Sequence, residues 1–284
     1  MLTNAILGST GNIGLSILRE LSTPQTSDDA DKKAIQINAY ARSKSKLLSL
    51  YPAAGSNPNI SIHAGSLQNL DLLAKCLKDT SAIYLAVAVS DNVPNCSVAQ
   101  TTARLVIEAL ERLRSQHIST YQPPLLVVLS SASTSTQLWR GEGIPPLIHT
   151  MLSKAASNVY HDLSLAENFL RQYPQNSCVN GTRLFRVCFV KPGGLIHDVK
   201  KGHVLSTEKS KTFTSFADCA AGMVEIATSA GKGKGEGEWD GKEVSVNSAA
   251  AEGASLGFGE GFALLKALAR GLLFHFLPWL YGWL

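Results

Sequence analysis

The chain has 284 residues, 45% hydrophobic and 17% charged, with a formal net charge of +4. This composition excludes a disordered chain and fits one large domain, or one domain with an appendage. No Lys/Arg run is interleaved with aromatics, so nucleic acid is not an expected partner, whereas small anionic ligands are compatible with the charge. Cys76, Cys96, Cys178, Cys188 and Cys219 are scattered, with no CxxC pair or Cys/His cluster, so neither a metal site nor a disulfide framework is expected. The first residues run straight into an apolar segment without a charged leader, and the expected compartment is the reducing cytoplasm.

In chain order, residues 3–8 read as a strand and 14–21 as an amphipathic helix. Residues 22–33 are a polar loop, 34–41 a second strand, 44–51 a short helix, 59–65 a third strand and 69–80 another helix. Residues 82–89 form an unbroken apolar run, as a central parallel strand buried on both faces requires. A long helix over 98–114 and a fifth strand over 124–131 follow. Further on, 149–172 reads as one helix, 181–195 as a strand ending in a Pro-Gly-Gly loop, 215–230 as a helix capped by Thr214 or Ser215, 231–241 as a Gly-rich turn and 242–248 as a late strand. The alternation predicts an α/β, Rossmann-like doubly wound parallel sheet over residues 1–250. Substrate-binding elements are expected from about residue 135, and an apolar helical segment over 251–284.

The stretch AILGSTGNIG at residues 5–14 places Gly8, Gly11 and Gly14 between a strand and a helix. Such a loop lets a pyrophosphate approach the main chain, and the helix N-terminus supplies unpaired N–H groups and the positive end of its dipole. The spacing is GxxGxxG rather than GxGxxG. A NAD site ends its second strand in Asp or Glu to hold the ribose hydroxyls. Here that position reads AYARSKSK (39–46), without an acid. Arg42 and Ser43 would meet a 2′-phosphate, which points to NADP(H) as cofactor.

These stretches, together with YLAVAV (84–89), VVLSSAS (127–133) and VKPGGL (190–195), resemble the extended or atypical short-chain dehydrogenase/reductases, and more closely their NmrA-like branch. VYHDLSLAENFLR, FVKPGGLIHD and RGLLFHFLPWLY are similar to the small oxidoreductases of fungal aromatic-polyketide clusters, of the aflatoxin/sterigmatocystin type. The resemblance implies that Gly8, Ser9, Thr10, Gly11, Asn12, Ile13 and Gly14 line the pyrophosphate and that Arg42 and Ser43 take the 2′-phosphate. Ala86, Val87 and Ala88 would flank the adenosine or ribose, and Ser130 and Ser131 the nicotinamide. Lys191, Pro192, Gly193 and Gly194 would lie near the carboxamide.

The family's Tyr-x-x-x-Lys dyad, in which Lys lowers the pKa of the proton-donating Tyr, is incomplete. From Tyr160 the chain reads YHDLS, with Ser164 in the Lys position; aligning Glu167 with the glutamate usual in this helix puts Val159 and Leu163 in the two positions instead. Tyr160 is then a proton donor helped by His161 or a serine, a pocket residue, or an ordinary helix residue. Ser131 is the candidate third catalytic member, and Lys154, Asn158 and His161 share a helical face at i, i+4 and i+7. His149, His197 and Asp198 are weaker candidates.

Residues 261–284 are apolar and aromatic, but Lys266, Arg270, His275 and Pro278 interrupt them, so a membrane span is not expected. A cover over the pocket of a flat aromatic substrate, a homodimer interface and a weak membrane-surface contact remain open for this segment. The sequence thus points to an NADPH-dependent reductase of a carbonyl or quinone-type carbon in a polycyclic aromatic molecule. A non-catalytic NADP(H) sensor and a redox-neutral isomerase, cyclase or hydrolase are the alternatives.

Overall fold

The computed structural model describes residues 2–23, 35–89, 91–140, 145–176, 182–229, 238–250 and 258–283. The first half is a strictly alternating run: β1 (Leu2–Leu7), α1 (Asn12–Ser22), β2 (Ile35–Ala41), α2 (Lys44–Leu50), β3 (Ile60–Ala64), α3 (Leu70–Leu77), β4 (Ala82–Leu85), α4 (Val98–Gln116) and β5 (Leu125–Leu129). The second half is looser: α5 (Thr136–Arg140), α6 (Pro146–Ala155), α7 (Ser157–Asn176), β6 (Arg186–Val190), β7 (Gly194–Ile196), β8 (His203–Ser206), β9 (Phe213–Ser215), α8 (Phe216–Ser229), β10 (Glu243–Ser248) and α9 (Phe258–Phe276).

The main sheet runs in the order β3-β2-β1-β4-β5-β6-β10-β8, parallel except for β8, which pairs antiparallel with β10. Successive strand residues face opposite layers. Ala5, Leu7, Ile83, Leu85, Leu126, Val128, Val187 and Phe189 enter the core under α3, α4 and α7. Ile6, Tyr84, Leu125, Val127, Cys188 and Val190 enter the core under α1 and α8. Burial on both faces explains why these strands read as unbroken apolar runs. The chain winds outward from β1 to β3, then crosses back to β4, so a crevice opens at the carboxyl ends of β1 and β4, where doubly wound sheets bind ligands.

Three elements differ from the sequence expectation. The fourth strand ends at Leu85 rather than residue 89, because the chain leaves the sheet where the Ala86 carbonyl meets Gly8. The Pro-Gly-Gly loop runs straight into a further short strand, β7, which begins at Gly194 and pairs with β9. The helix expected over 149–172 is two helices, α6 and α7, broken at Ala156 (φ −121°, ψ 22°). The buried side chain of Asn92 fills the break: its Oδ1 accepts from the Asn158 N–H (2.8 Å) and its Nδ2 donates to the Gly271 carbonyl (3.0 Å). The break removes the common face expected for Lys154, Asn158 and His161. The loop at 24–33 and most of the Gly-rich turn at 231–241 lie outside the described residues.

Helix α9 docks on α6 through Gly271, where a Cβ would lie 2.0 Å from the Ala155 carbonyl oxygen, and through the buried Phe274. Asp162 of α7, 2% exposed, accepts the backbone N–H groups of Ala99 (2.8 Å) and Gln100 (3.0 Å) and so caps α4 from a neighbouring helix. Asp162→Ala should cost about 2–3 kcal/mol, because two buried donors lose a charged acceptor. A thermal melt should then shift down by about 4–10 °C; an unchanged melt would show that the cap contributes nothing.

Candidate active site

The three glycines of the β1–α1 loop answer three different constraints. Gly8 is left-handed (φ +88°), and a Cβ there would lie 2.6 Å from the Ala86 carbonyl oxygen. At Gly14 a Cβ would lie 2.2 Å from the Gly8 carbonyl oxygen, so only glycine lets α1 close on its own loop. Gly11 has no such neighbour: its Cβ would reach nothing nearer than 3.4 Å and would project into the open side of the loop. Gly11 also caps α1 in extended conformation, with no side chain over the helix end and no acid in the first turn. The backbone N–H groups of the first turn are therefore available to an anion. These features fit a dinucleotide pyrophosphate, held by the main chain at Gly11–Gly14 with Thr10 and Asn12 beside it.

Two side chains expected in that cradle are used elsewhere. Ser9 is fully buried and donates its hydroxyl to the Tyr40 carbonyl (2.8 Å), tying the loop to the end of β2. Ile13 packs into the core under α1, leaving only its backbone to the cradle. At the end of β2, Arg42 is exposed, and Ser43 caps α2 by accepting the Lys46 N–H (3.2 Å). Arg42 forms no hydrogen bond or ion pair among the described residues. Across the crevice, Ala86 abuts Gly8, Val87 is half-buried and Ala88 is exposed.

At the ends of β5 and β6 the structure corrects two further expectations. The Ser130 hydroxyl turns away from the crevice and donates to Glu167 (2.5 Å), which also accepts from Thr134 (3.0 Å). Lys191 is completely buried, its Nζ 2.7 Å from Glu167 and 3.0 Å from Glu243. Arg171 completes the group, 2.6 Å from Glu243, with its guanidinium 4.1 Å over the Phe189 ring. Two cations thus match two carboxylates. Gly193 and Gly194 are demanded by packing rather than by a ligand, since a Cβ on Gly193 would lie 2.1 Å from the Lys211 carbonyl and one on Gly194 2.8 Å from the Phe213 ring. The Pro192 carbonyl accepts the Ala132 N–H (2.8 Å), joining this loop to the one after β5.

Ser131 caps the single turn over residues 132–134: its Oγ accepts from the Ser133 N–H (3.3 Å), so the hydroxyl hydrogen is free to donate. On α7, Tyr160, Leu163 and Glu167 follow i, i+3, i+7 spacing and share a face. Leu163 lines a narrow apolar cleft with Leu85, Val87, Val128 and Ser130, and no cation occupies its position. Tyr160 is half-buried and its hydroxyl has no partner among the described residues. His161 is exposed, off that face. His149 stacks on Trp139 (3.8 Å between ring centroids), with its covered Nε2 unpartnered among the described residues and its pKa held below the ordinary histidine value by burial. Asp198 is taken up by Lys201 (2.7 Å), and His197 packs on Phe216. Sequence reasoning missed Glu243, Asn92 and Asp162 altogether. A lone lysine closing an apolar strand run in FVKPG, with Glu167 and Arg171 one helical turn apart, was the available signal for the charged group.

No protein-family model matches the chain. It is 42% identical over 279 residues to the oxidoreductase aflX of Aspergillus parasiticus, covering 98% of this chain and 93% of that protein. It is 38% identical to the oxidoreductase stcQ of Emericella nidulans, covering 99% of this chain and 93% of that protein. Among solved structures, a short-chain dehydrogenase/reductase from Veillonella parvula in complex with NADP superposes with a TM-score of 0.60 at 15% identity, over 86% of this chain and 94% of that one.

Lys191→Met should destabilise the protein by about 3–5 kcal/mol, since the buried Glu167 loses its nearest counter-charge. Adding Glu167→Gln should recover part of that loss in chemical denaturation; no recovery would show that the pair is not coupled. Burial pushes the Glu243 carboxyl up, but the hydrogen bond from Ser135 and the charges of Lys191 and Arg171 outweigh it and hold it below its usual 4.5. A depressed carboxyl contributes stability above its unfolded value, and that stability is lost as pH falls through the lower folded value. Denaturation midpoints followed from about pH 7 to about pH 3 should therefore drop less steeply on the acid side in Glu243→Gln than in the parent.

Proposed function

This chain belongs to the family of fungal oxidoreductases that includes aflX and stcQ, and we propose that it is an NADPH-dependent reductase of a carbonyl or quinone-type carbon in a polycyclic aromatic substrate. The observation that carries the cofactor choice is the glycine cradle paired with an exposed, unpartnered Arg42 where a NAD site would place an acid. The substrate class is supported by the resemblance to aromatic-polyketide-cluster oxidoreductases.

In this reading the backbone of Gly11–Gly14 holds the pyrophosphate, Arg42 and Ser43 hold the 2′-phosphate, and Ala86–Ala88 flank the adenosine ribose. NADPH supplies the hydride when bound. Lys191, Glu167 and Glu243 touch neither reactant; they hold the ends of β5 and β6 in fixed register, so that Ser131 faces the crevice. The free Ser131 hydroxyl donates a hydrogen bond to the substrate oxygen, and Tyr160 supplies the proton. Ser164, in the Lys position from Tyr160, brings no cation, so proton donation here is weaker than a Tyr-Lys pair would provide. That same absence favours the second reading, a sensor that binds NADP(H) without turnover.

Cofactor fluorescence should show tighter binding of NADPH than of NADH. Arg42→Ala should erase the preference by lowering NADPH affinity about 10–100-fold, the loss of one or two charge-assisted hydrogen bonds. Equal binding of the two cofactors by the parent protein would sink the 2′-phosphate assignment. With a panel of anthraquinones and xanthones, absorbance at the nicotinamide band should fall, and Tyr160→Phe should cut the rate about 100-fold or more. Full turnover in that variant would remove Tyr160 as donor, and tight binding with no oxidation of NADPH by any substrate would favour the sensor.

A further inference from the structure

Among the described residues, ten of the seventeen exposed large apolar side chains lie on α6, α9 and the turn that follows α9. Helix α9 has two apolar faces. One, at Gly271 and Phe274, is buried against α6. The other carries Phe262, Leu265, Ala269 and Phe276 at i, i+3, i+7 and i+14, with Phe262 69% and Phe276 62% exposed. The neighbouring α6 presents Leu147, Ile148 and Met151 to solvent, Leu147 at 75%. Lys154 joins the two surfaces, its Nζ 5.4 Å above the Phe276 ring. Past α9, the turn Pro278–Gly282 and the residue after it project Trp279 and Trp283, 67% and 85% exposed.

Single exposed apolar residues need no explanation, but a contiguous patch with a polar rim marks an interaction surface. The rim here is mainly basic. Lys154, Lys266 and Arg270 border the patch; α6 and the turn after α9 carry no Asp or Glu, and α9 carries one, Glu260 in its first turn. Asp91, on the loop after β4, lies 4.0 Å from Arg270. No helix among the described residues is long and apolar enough to cross a membrane. A two-fold contact between copies would bring three cations from each copy together with fewer acids to balance them. An anionic bilayer surface offers both things the patch lacks, an apolar layer and negative headgroups.

We propose that α6, α9 and the tryptophan turn form a docking face for anionic phospholipid membrane. The two helices lie in the headgroup plane with Phe262, Leu265 and Phe276 directed toward the acyl chains. Trp279 and Trp283 seat at the interface, the depth that amphipathic aromatic rings prefer. Lys154 and Lys266 extend to the headgroups while their stems cover the apolar margin.

The full chain, mixed with sedimentable vesicles of phosphatidylcholine alone or with added phosphatidylserine, tests this directly. Binding should be seen with the phosphatidylserine vesicles, weaken at high salt, and shift tryptophan emission to the blue. Lys154→Gln/Lys266→Gln should weaken it about 25-fold, and Trp279→Ser/Trp283→Ser should weaken it without affecting NADPH titration or the thermal melt, since both rings are exposed. Equal binding to the neutral vesicles, or none to either kind, overturns the proposal. So does a concentration-dependent dimer in sedimentation equilibrium that the tryptophan substitutions dissolve, because it would make this face a contact between copies.

Discussion

A fully buried lysine ammonium, held 2.7 Å from Glu167 and 3.0 Å from Glu243, ties together the parts of the molecule that must agree for the crevice to form. Lys191 follows β6, Glu243 opens β10 and Glu167 lies mid-way along α7. Through Ser130 and Thr134 the same carboxylate holds the turn after β5. Removing a buried ammonium from water costs several kcal/mol, which the arrangement offsets only because both carboxylates and Arg171 are already in place. Its value is therefore positional: it admits one mutual arrangement of three strand ends and one helix.

The glycine-loop end of the crevice depends on a different constraint, the close approach of Gly8 to the Ala86 carbonyl. That contact brings the glycine loop against the end of β4, while Ser9 anchors the other side of the loop to β2. The loop is thus fixed between its two neighbouring strands, at the point where the winding reverses. Preorganisation of this kind leaves the Gly11–Gly14 backbone ready for a phosphate without a loop having to order on binding.

The side of the crevice near Ser131 and Tyr160 is built with fewer polar groups. Where a Tyr-Lys pair counted from Tyr160 would project a cation, α7 carries Ser164, whose hydroxyl donates to the Tyr160 carbonyl (2.8 Å). The polar residues of α7 are spent on architecture instead, Asn158 on the Asn92 junction, Asp162 on the cap of α4 and Glu167 on the buried charge group. Tyr160 and Ser131 are left with hydroxyls free to meet a substrate.

Fold class, strand sequence and the glycine cradle were legible in the amino-acid sequence, because apolar period, glycine spacing and an acid-free strand end are local properties. The glycine spacing from Gly8 to Gly14 could be read within ten residues, although the carbonyl that crowds Gly8 belongs to Ala86. The roles of Ser9, Ser130 and Lys191 could not, since each is set by partners 24 to 52 residues away. The break between α6 and α7 was equally hidden: apolar spacing runs through Ala156 unperturbed, and the cause is Asn92, 66 positions earlier than the amide it accepts. Periodicity shows which face of a segment is apolar. Packing alone selects what covers it, and so α9, uniform in sequence, became one face buried on α6 and one face left to solvent.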